Sequence, residues 1–202
     1  MGAVIRYGLG AVLGAALGVA SALYLAGLWP GMKPLDFGNV EVDGWRSDFA
    51  IGSEAADPYT RARVARHGLL ALAKSEAVYF TRTTDAGGNP LRQECEYALI
   101  GGDMPAQWWS ITLYNAESYL PDNADDALSV DATSVGGETE EWDALISSDR
   151  PEPGINWISS RNAGKFDLTL RLYVPNEALF DNPAAVFAPP IVERLSCKGD
   201  AA

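Results

Sequence analysis

Residues 107–115, QWWSITLYN, place aromatic and hydroxyl side chains at a spacing that could do binding chemistry. With a strand period of two, Trp108, Ser110, Thr112 and Tyr114 share one face, and Trp109, Ile111 and Leu113 share the other. The aliphatic face reads as core. On the first face, rings can stack on a sugar or another flat ring while hydroxyls bond to its edge. Arg171 and Tyr173, in KFDLTLRLYVP, extend that face if the two strands are neighbours. The expected ligand is a glycan or small molecule, provided neither the helix nor a second sheet covers the face.

Catalytic constellations are weak by comparison. A serine-type hydrolase needs a nucleophile, a base and an orienting acid. The sole histidine, His67, lies in the middle of a basic helix, and no serine sits in a G-x-S-x-G elbow. One His and two widely separated cysteines do not supply zinc-ligand spacing. In YLPDNADDALSVDA, Asp122, Asn123, Asp125, Asp126 and Asp131 could offer oxygens to calcium, but the EF-hand pattern and its terminal Glu are missing. Glu94 with Glu96, and Glu138, Glu140, Glu141 and Asp143, could supply paired carboxylates for glycan cleavage, with no roles assignable. The expectation is therefore no catalytic residue, no metal site and no cofactor, in a binding protein rather than an enzyme.

The elements that must position the face are mostly strands. AVYFTRT, the turn DAGGNP and RQECEYALIGG read as a hairpin. QWWSITLYN, ALSVDA and EWDALISS follow. In KFDLTLRLYVP, Phe166, Leu168, Leu170, Leu172 and Val174 alternate with Asp167, Thr169, Arg171 and Tyr173. One soluble helix stands out in DPYTRARVARHGLLALAKSE. Asp57 can cap it and Pro58 suits its first turn. Val64, Ala65, Leu69 and Leu72 form its apolar stripe, opposite a basic face of Arg61, Arg63 and Arg66. Short strands between Gly, Pro and Asn turns predict a mainly β, antiparallel sandwich or jelly-roll-like domain with this one amphipathic helix.

An N-terminal transmembrane helix is expected before that domain. From Tyr7 to Trp29 no residue is charged, and as a helix this run spans about 34 Å against roughly 30 Å of hydrocarbon. Arg6 and the ASA at residues 20–22 also fit a cleaved secretory signal, but the apolar run continues past that site. Trp29 suits an interfacial anchor, with Pro30 and Gly31 as a stop. The preferred organisation is a signal anchor over residues 1–32, a linker and entry segment over 33–54, and the sandwich over 55–202. Gly10, Gly14 and Gly18 line one helix face, a spacing that admits a partner helix from another copy or a foreign protein.

The protein carries a formal net charge of -12. Without a basic patch, it should not bind nucleic acid. Cys95 and Cys197 fit one disulfide in an oxidising compartment, the alternative being two buried free thiols. The expected location is a bacterial inner membrane, single-pass, with the C-terminal domain in the periplasm. Two further readings stay open: an accessory subunit docked through the glycine-lined helix, and a carbohydrate-active enzyme using unassigned carboxylates.

GSEAADPYTRARVARHGLLALAKSEAVYF, WWSITLYN, NWIS, KFDLTLRLYVP and PPIVE occur in an order that resembles the domain-of-unknown-function family numbered 1214. The resemblance covers roughly residues 50–195. It implies a β-rich sandwich with one helix and an envelope location, in a short, membrane-anchored bacterial form. It implies no reaction and no catalytic residue. Trp109, Asn156, Trp157, Arg171 and Tyr173 match the family pattern without revealing whether they fold the domain or bind a ligand.

Overall fold

The computed structural model describes residues 2–29, 38–54, 56–66, 72–135 and 141–199. The chain divides into two compact units, Met1–Asp36 with Ala50–Ala71, and Phe37–Phe49 with Leu72–Ala202. The entry segment expected over 33–54 spans both units. Part of it belongs to the β unit, whereas residues 50–71 group with the N-terminal segment.

In the first unit, helix α1 (Gly2–Leu25) is long and apolar enough to cross a membrane, by length and composition. It ends sooner than the apolar run does. Gly27 takes the left-handed φ of 69° and donates to the Tyr24 carbonyl at 3.0 Å, while Leu28 donates to Leu23 at 2.8 Å. That six-to-one closure terminates a helix, leaving Trp29 beyond the helical end. Helix α2 (Pro58–Arg66) starts as its sequence dictates. Asp57 Oδ1 accepts from the Tyr59 and Thr60 amides at 2.8 and 3.2 Å. The apolar stripe is narrower than expected, with Val64 buried and Ala65 and Leu72 exposed. Leu69, His67 and the side chains of Arg63 and Arg66 lie outside the described residues. Arg61 donates to its own chain, at the carbonyls of Ala56 and Glu54.

The second unit is a β-sandwich. Its strands are β1 (Val40–Val42), β2 (Trp45–Ser47), β3 (Ala77–Arg82), β4 (Cys95–Gly101), β5 (Ala106–Asn115), β6 (Ser129–Asp131), β7 (Trp142–Ser147), β8 (Trp157–Ser159), β9 (Phe166–Pro175) and β10 (Ile191–Cys197). Two short helical turns, α3 (Ala178–Asp181) and α4 (Pro183–Val186), precede β10. One sheet runs β1-β2-β3-β9-β5-β6 and the other β10-β4-β7-β8, antiparallel except for the parallel pair β7–β8. The aliphatic residues of β5 and β9 fill the space between the sheets. Ile111, Leu113, Leu168, Leu170 and Leu172 are fully buried, and Trp109 stacks on Trp142 of the opposite sheet with ring centroids 4.5 Å apart.

Three expectations need correction. The predicted hairpin between AVYFTRT and RQECEYALIGG does not form, because β3 and β4 lie in different sheets. Its tip survives, in the bridge Thr84↔Pro90 and in the bonds from the Asp85 amide to the Asn89 carbonyl at 2.9 Å and from the Leu91 amide to the Thr83 carbonyl at 3.0 Å. The entry segment contributes a hairpin instead, turning at Asp43 and Gly44 with φ of 44° and 81°. These values suit the two-residue turn that a right-twisted hairpin prefers. Val174 does not join the core face of β9. Its φ of 49° breaks the alternation and leaves it exposed. The disulfide is present between Cys95 and Cys197, register partners on β4 and β10.

Candidate functional site

β9 lies between β3 and β5, so the polar alternates of three strands meet on the side of the six-stranded sheet away from the core. The register pairs Trp108 with Tyr173, Ser110 with Arg171, Thr112 with Thr169 and Tyr114 with Asp167. From the other side, Tyr79 of β3 pairs with Arg171. All six binding residues expected from the sequence are therefore assembled on one face.

Exposure along this face is uneven. Trp108 is 37 % exposed, whereas Ser110 is 9 % exposed. Thr112, Tyr114, Arg171 and Tyr173 are half-buried. At the open end, the Trp108 and Tyr173 rings lie 5.2 Å apart at a tilt of 57°. Trp108 Nε1 donates to Thr133 Oγ1 at 3.0 Å, which fixes the indole by its edge and leaves its faces for stacking. At the closed end, Arg171 donates to Thr112 Oγ1 at 3.1 Å and to the Tyr114 hydroxyl at 2.6 Å. Its guanidinium lies over the rings of Tyr114 and Tyr79, 5.5 and 5.8 Å from their centroids.

Two further ionisable groups lie on this face, and only Tyr79 escaped the sequence reading. Burial raises the Tyr79 phenol above its ordinary range, with Arg171 opposing. Asp167 accepts from Thr169 Oγ1 at 3.2 Å, and burial pushes its carboxyl up to about 6 against the pull of Thr169 and Arg171. Tyr79 was hidden in the apolar run AVYF, where nothing separates a core ring from an outer one except β3's choice of neighbour. Asp167 was visible as an outward residue, but its burial depends on packing.

Several of the other candidates make contacts within the fold. Asp125 accepts from Ser159 Oγ at 2.7 Å and pairs with Arg161 at 2.9 Å. Those contacts, Ser159 foremost, hold its carboxyl below the usual range. Asp131 Oδ1 accepts the Thr133 and Ser134 amides, closing its own turn. Among the described residues, no group of three or more His, Cys, Asp or Glu is placed to hold a metal ion. Glu94 precedes β4 rather than sharing its face, and Glu96 accepts from Ser196 Oγ at 3.1 Å. Glu138 and Glu140 lie outside the described residues, while Glu141 and Asp143 are exposed. Asn156 and Trp157 fix the parallel pair. Asn156 Nδ2 donates to the Asp143 carbonyl, and Trp157 Nε1 donates to Ser147.

Along the membrane-length helix, an added Cβ at Gly10, Gly14 or Gly18 would meet nothing within 4 Å.

Comparison with solved structures supports the fold. A crystal structure of a protein from Vibrio parahaemolyticus aligns with a TM-score of 0.58 and 16 % identity, over 91 % of this chain and 44 % of that one. An uncharacterised protein from Burkholderia cenocepacia aligns with a TM-score of 0.45 and 13 % identity, over 59 % and 30 %. The chain thus spans less than half the length of either. No curated protein matches it. A family model described as a protein of unknown function, DUF1214, matches residues 76–177, from the approach to β3 to the end of β9 and just beyond. The chain therefore belongs to the DUF1214 family.

Proposed function

We propose that this protein is a binding protein whose outer sheet face takes a glycan or small molecule. The observation that carries this reading is the partly open Trp108–Tyr173 pair, continued by a row of hydroxyls and Arg171 on the same face. Stacking on the rings supplies contact area, and the hydroxyl row supplies orientation. The proposed setting is a bacterial inner membrane, with α1 as the anchor and the sandwich in the periplasm. The Cys95–Cys197 disulfide supports an oxidising compartment.

Titration of the full chain in detergent against a panel of neutral oligosaccharides, read by tryptophan fluorescence, tests the site. A ligand is expected to quench emission, and Trp108→Ala is expected to weaken it roughly tenfold, as loss of an aromatic anchor does. Equal affinity in the variant would remove this face from the binding site.

A second reading has its own observation. The spacing of Gly10, Gly14 and Gly18 along one helix face favours close approach of another helix, which would make the protein an accessory subunit. Gentle-detergent purification and mass spectrometry would then recover a stoichiometric membrane partner. Recovery of the protein alone, as a monomer, would count against it.

A further inference from the structure

Arg171 differs from several other arginines of the protein. Arg46, Arg161 and Arg194 have carboxylate partners at 3.1, 2.9 and 3.8 Å. Buried Arg82 is held by three backbone carbonyls, those of Asp43, Thr84 and Asp85. Arg171 is half-buried and forms no ion pair among the described residues. Its two hydrogen bonds go to neutral hydroxyls, Thr112 and Tyr114. A guanidinium has five donors, so this arrangement orients the group and leaves part of its fork unmatched. Removing such a charge from water without a counter-ion is costly, and an anion in a ligand would offset that cost.

We propose that the ligand of this face is acidic: a chain of rings of the uronate type, with a carboxylate on Arg171 and a ring against Trp108 and Tyr173. This deepens the function proposed above and rests on it. The length of the face sets the size of the ligand. Thr112, which anchors the guanidinium, is four residues from Trp108 along β5, about 13 Å, the reach of a short oligosaccharide rather than a single ring. The protein's own carboxylate nearest in the strand does not fill the role. Asp167 is bonded to Thr169 and makes no ion pair with Arg171 among the described residues. The overall charge of -12 repels an approaching anion. At physiological salt that repulsion is screened beyond about 8 Å, so the contact with Arg171 decides the bound state.

Calorimetric titration of the full chain in detergent with trigalacturonate and with its methyl ester tests the inference. The two probes share rings and length and differ in charge. The acid is expected to bind at least about tenfold more tightly, the effect of one charge-assisted bond. Arg171→Gln should erase the difference between acid and ester, and Trp108→Ala should weaken both probes. The acid–ester comparison uses the native protein, so it stands even if Arg171→Gln fails to fold. Equal binding of acid and ester, both weakened in Trp108→Ala, would overturn the acidic ligand and keep the binding function. Retained preference in a folded Arg171→Gln would also overturn it. No binding of the acid, the ester or any neutral oligosaccharide would overturn both.

Discussion

Asp167 is the residue on the binding face whose protonation matters most for stability. Burial raises its carboxyl to about 6, against roughly 3.9 for an exposed aspartate. The folded state therefore holds this proton more tightly than the unfolded chain does. The resulting stabilisation is complete below the unfolded value and is lost as pH rises through about 6. Asp167→Asn keeps an oxygen to accept from Thr169 and removes the buried charge. It should raise stability at pH 7–8 by about 1–3 kcal/mol and change little at pH 4. Urea melts of both proteins across that range check the sign, and a gain independent of pH would refute the cause. Legibility at this scale followed a simple rule. Trp108, Ser110, Thr112 and Tyr114 could be placed from a period of two in one segment. Arg171 and Tyr173 needed one further condition, adjacency of β5 and β9, which the register satisfies. Tyr79 needed the third strand, and no local pattern names a strand's neighbour.

Strand pairing is where local signals failed. DAGGNP has strong turn chemistry, and the chain does turn there, but β3 continues into one sheet and β4 into the other. Turn residues fix a change of direction, whereas partner choice is set by burial of both faces across the whole sandwich. The D-G signal in VEVDGW was legible and marks the β1–β2 hairpin. It also brings Trp45 into the core, where Nε1 donates to the Pro190 carbonyl at 2.8 Å. Two elements of the smaller sheet give direct tests. At Gly101, the last residue of β4, an added Cβ would sit 2.2 Å from the Trp142 ring, itself stacked on Trp109. The ring cannot retreat without breaking that stack, so Gly101→Ala should cost about 2–3 kcal/mol. A melting temperature unchanged from the native protein would show that the ring has room to move. The disulfide ties the edge strand β10 to β4 across a separation of 102 residues. Its removal should lower stability by about 4–5 kcal/mol on the chain-entropy account. Comparison of thermal melts with and without reductant, alongside Cys95→Ser with Cys197→Ser, measures it.

For the whole molecule, the decisive question is whether α1 stays on the chain. An apolar h-region of about 7–15 residues suffices for a cleaved signal. Here the apolar helix covers Arg6–Leu25 and closes through Gly27, so the ASA at residues 20–22 lies within its final turns. A helix of that length is long and apolar enough to cross a bilayer. The remainder of the chain is acidic, and anionic lipid headgroups repel such a domain, so any attachment would rest on the helix rather than on surface adhesion. The protein should therefore remain in the membrane pellet after a carbonate wash, and its intact mass should retain residues 1–32. A mature start at Leu23 would turn the segment into a cleaved signal. It would also remove Gly10, Gly14 and Gly18 from the working protein and, with them, the helix-docked subunit reading. The sheet face would lose nothing by that cleavage, because every residue proposed to bind ligand lies beyond residue 72. The same mass spectrum thus tests the helix-docked reading without bearing on the sheet face.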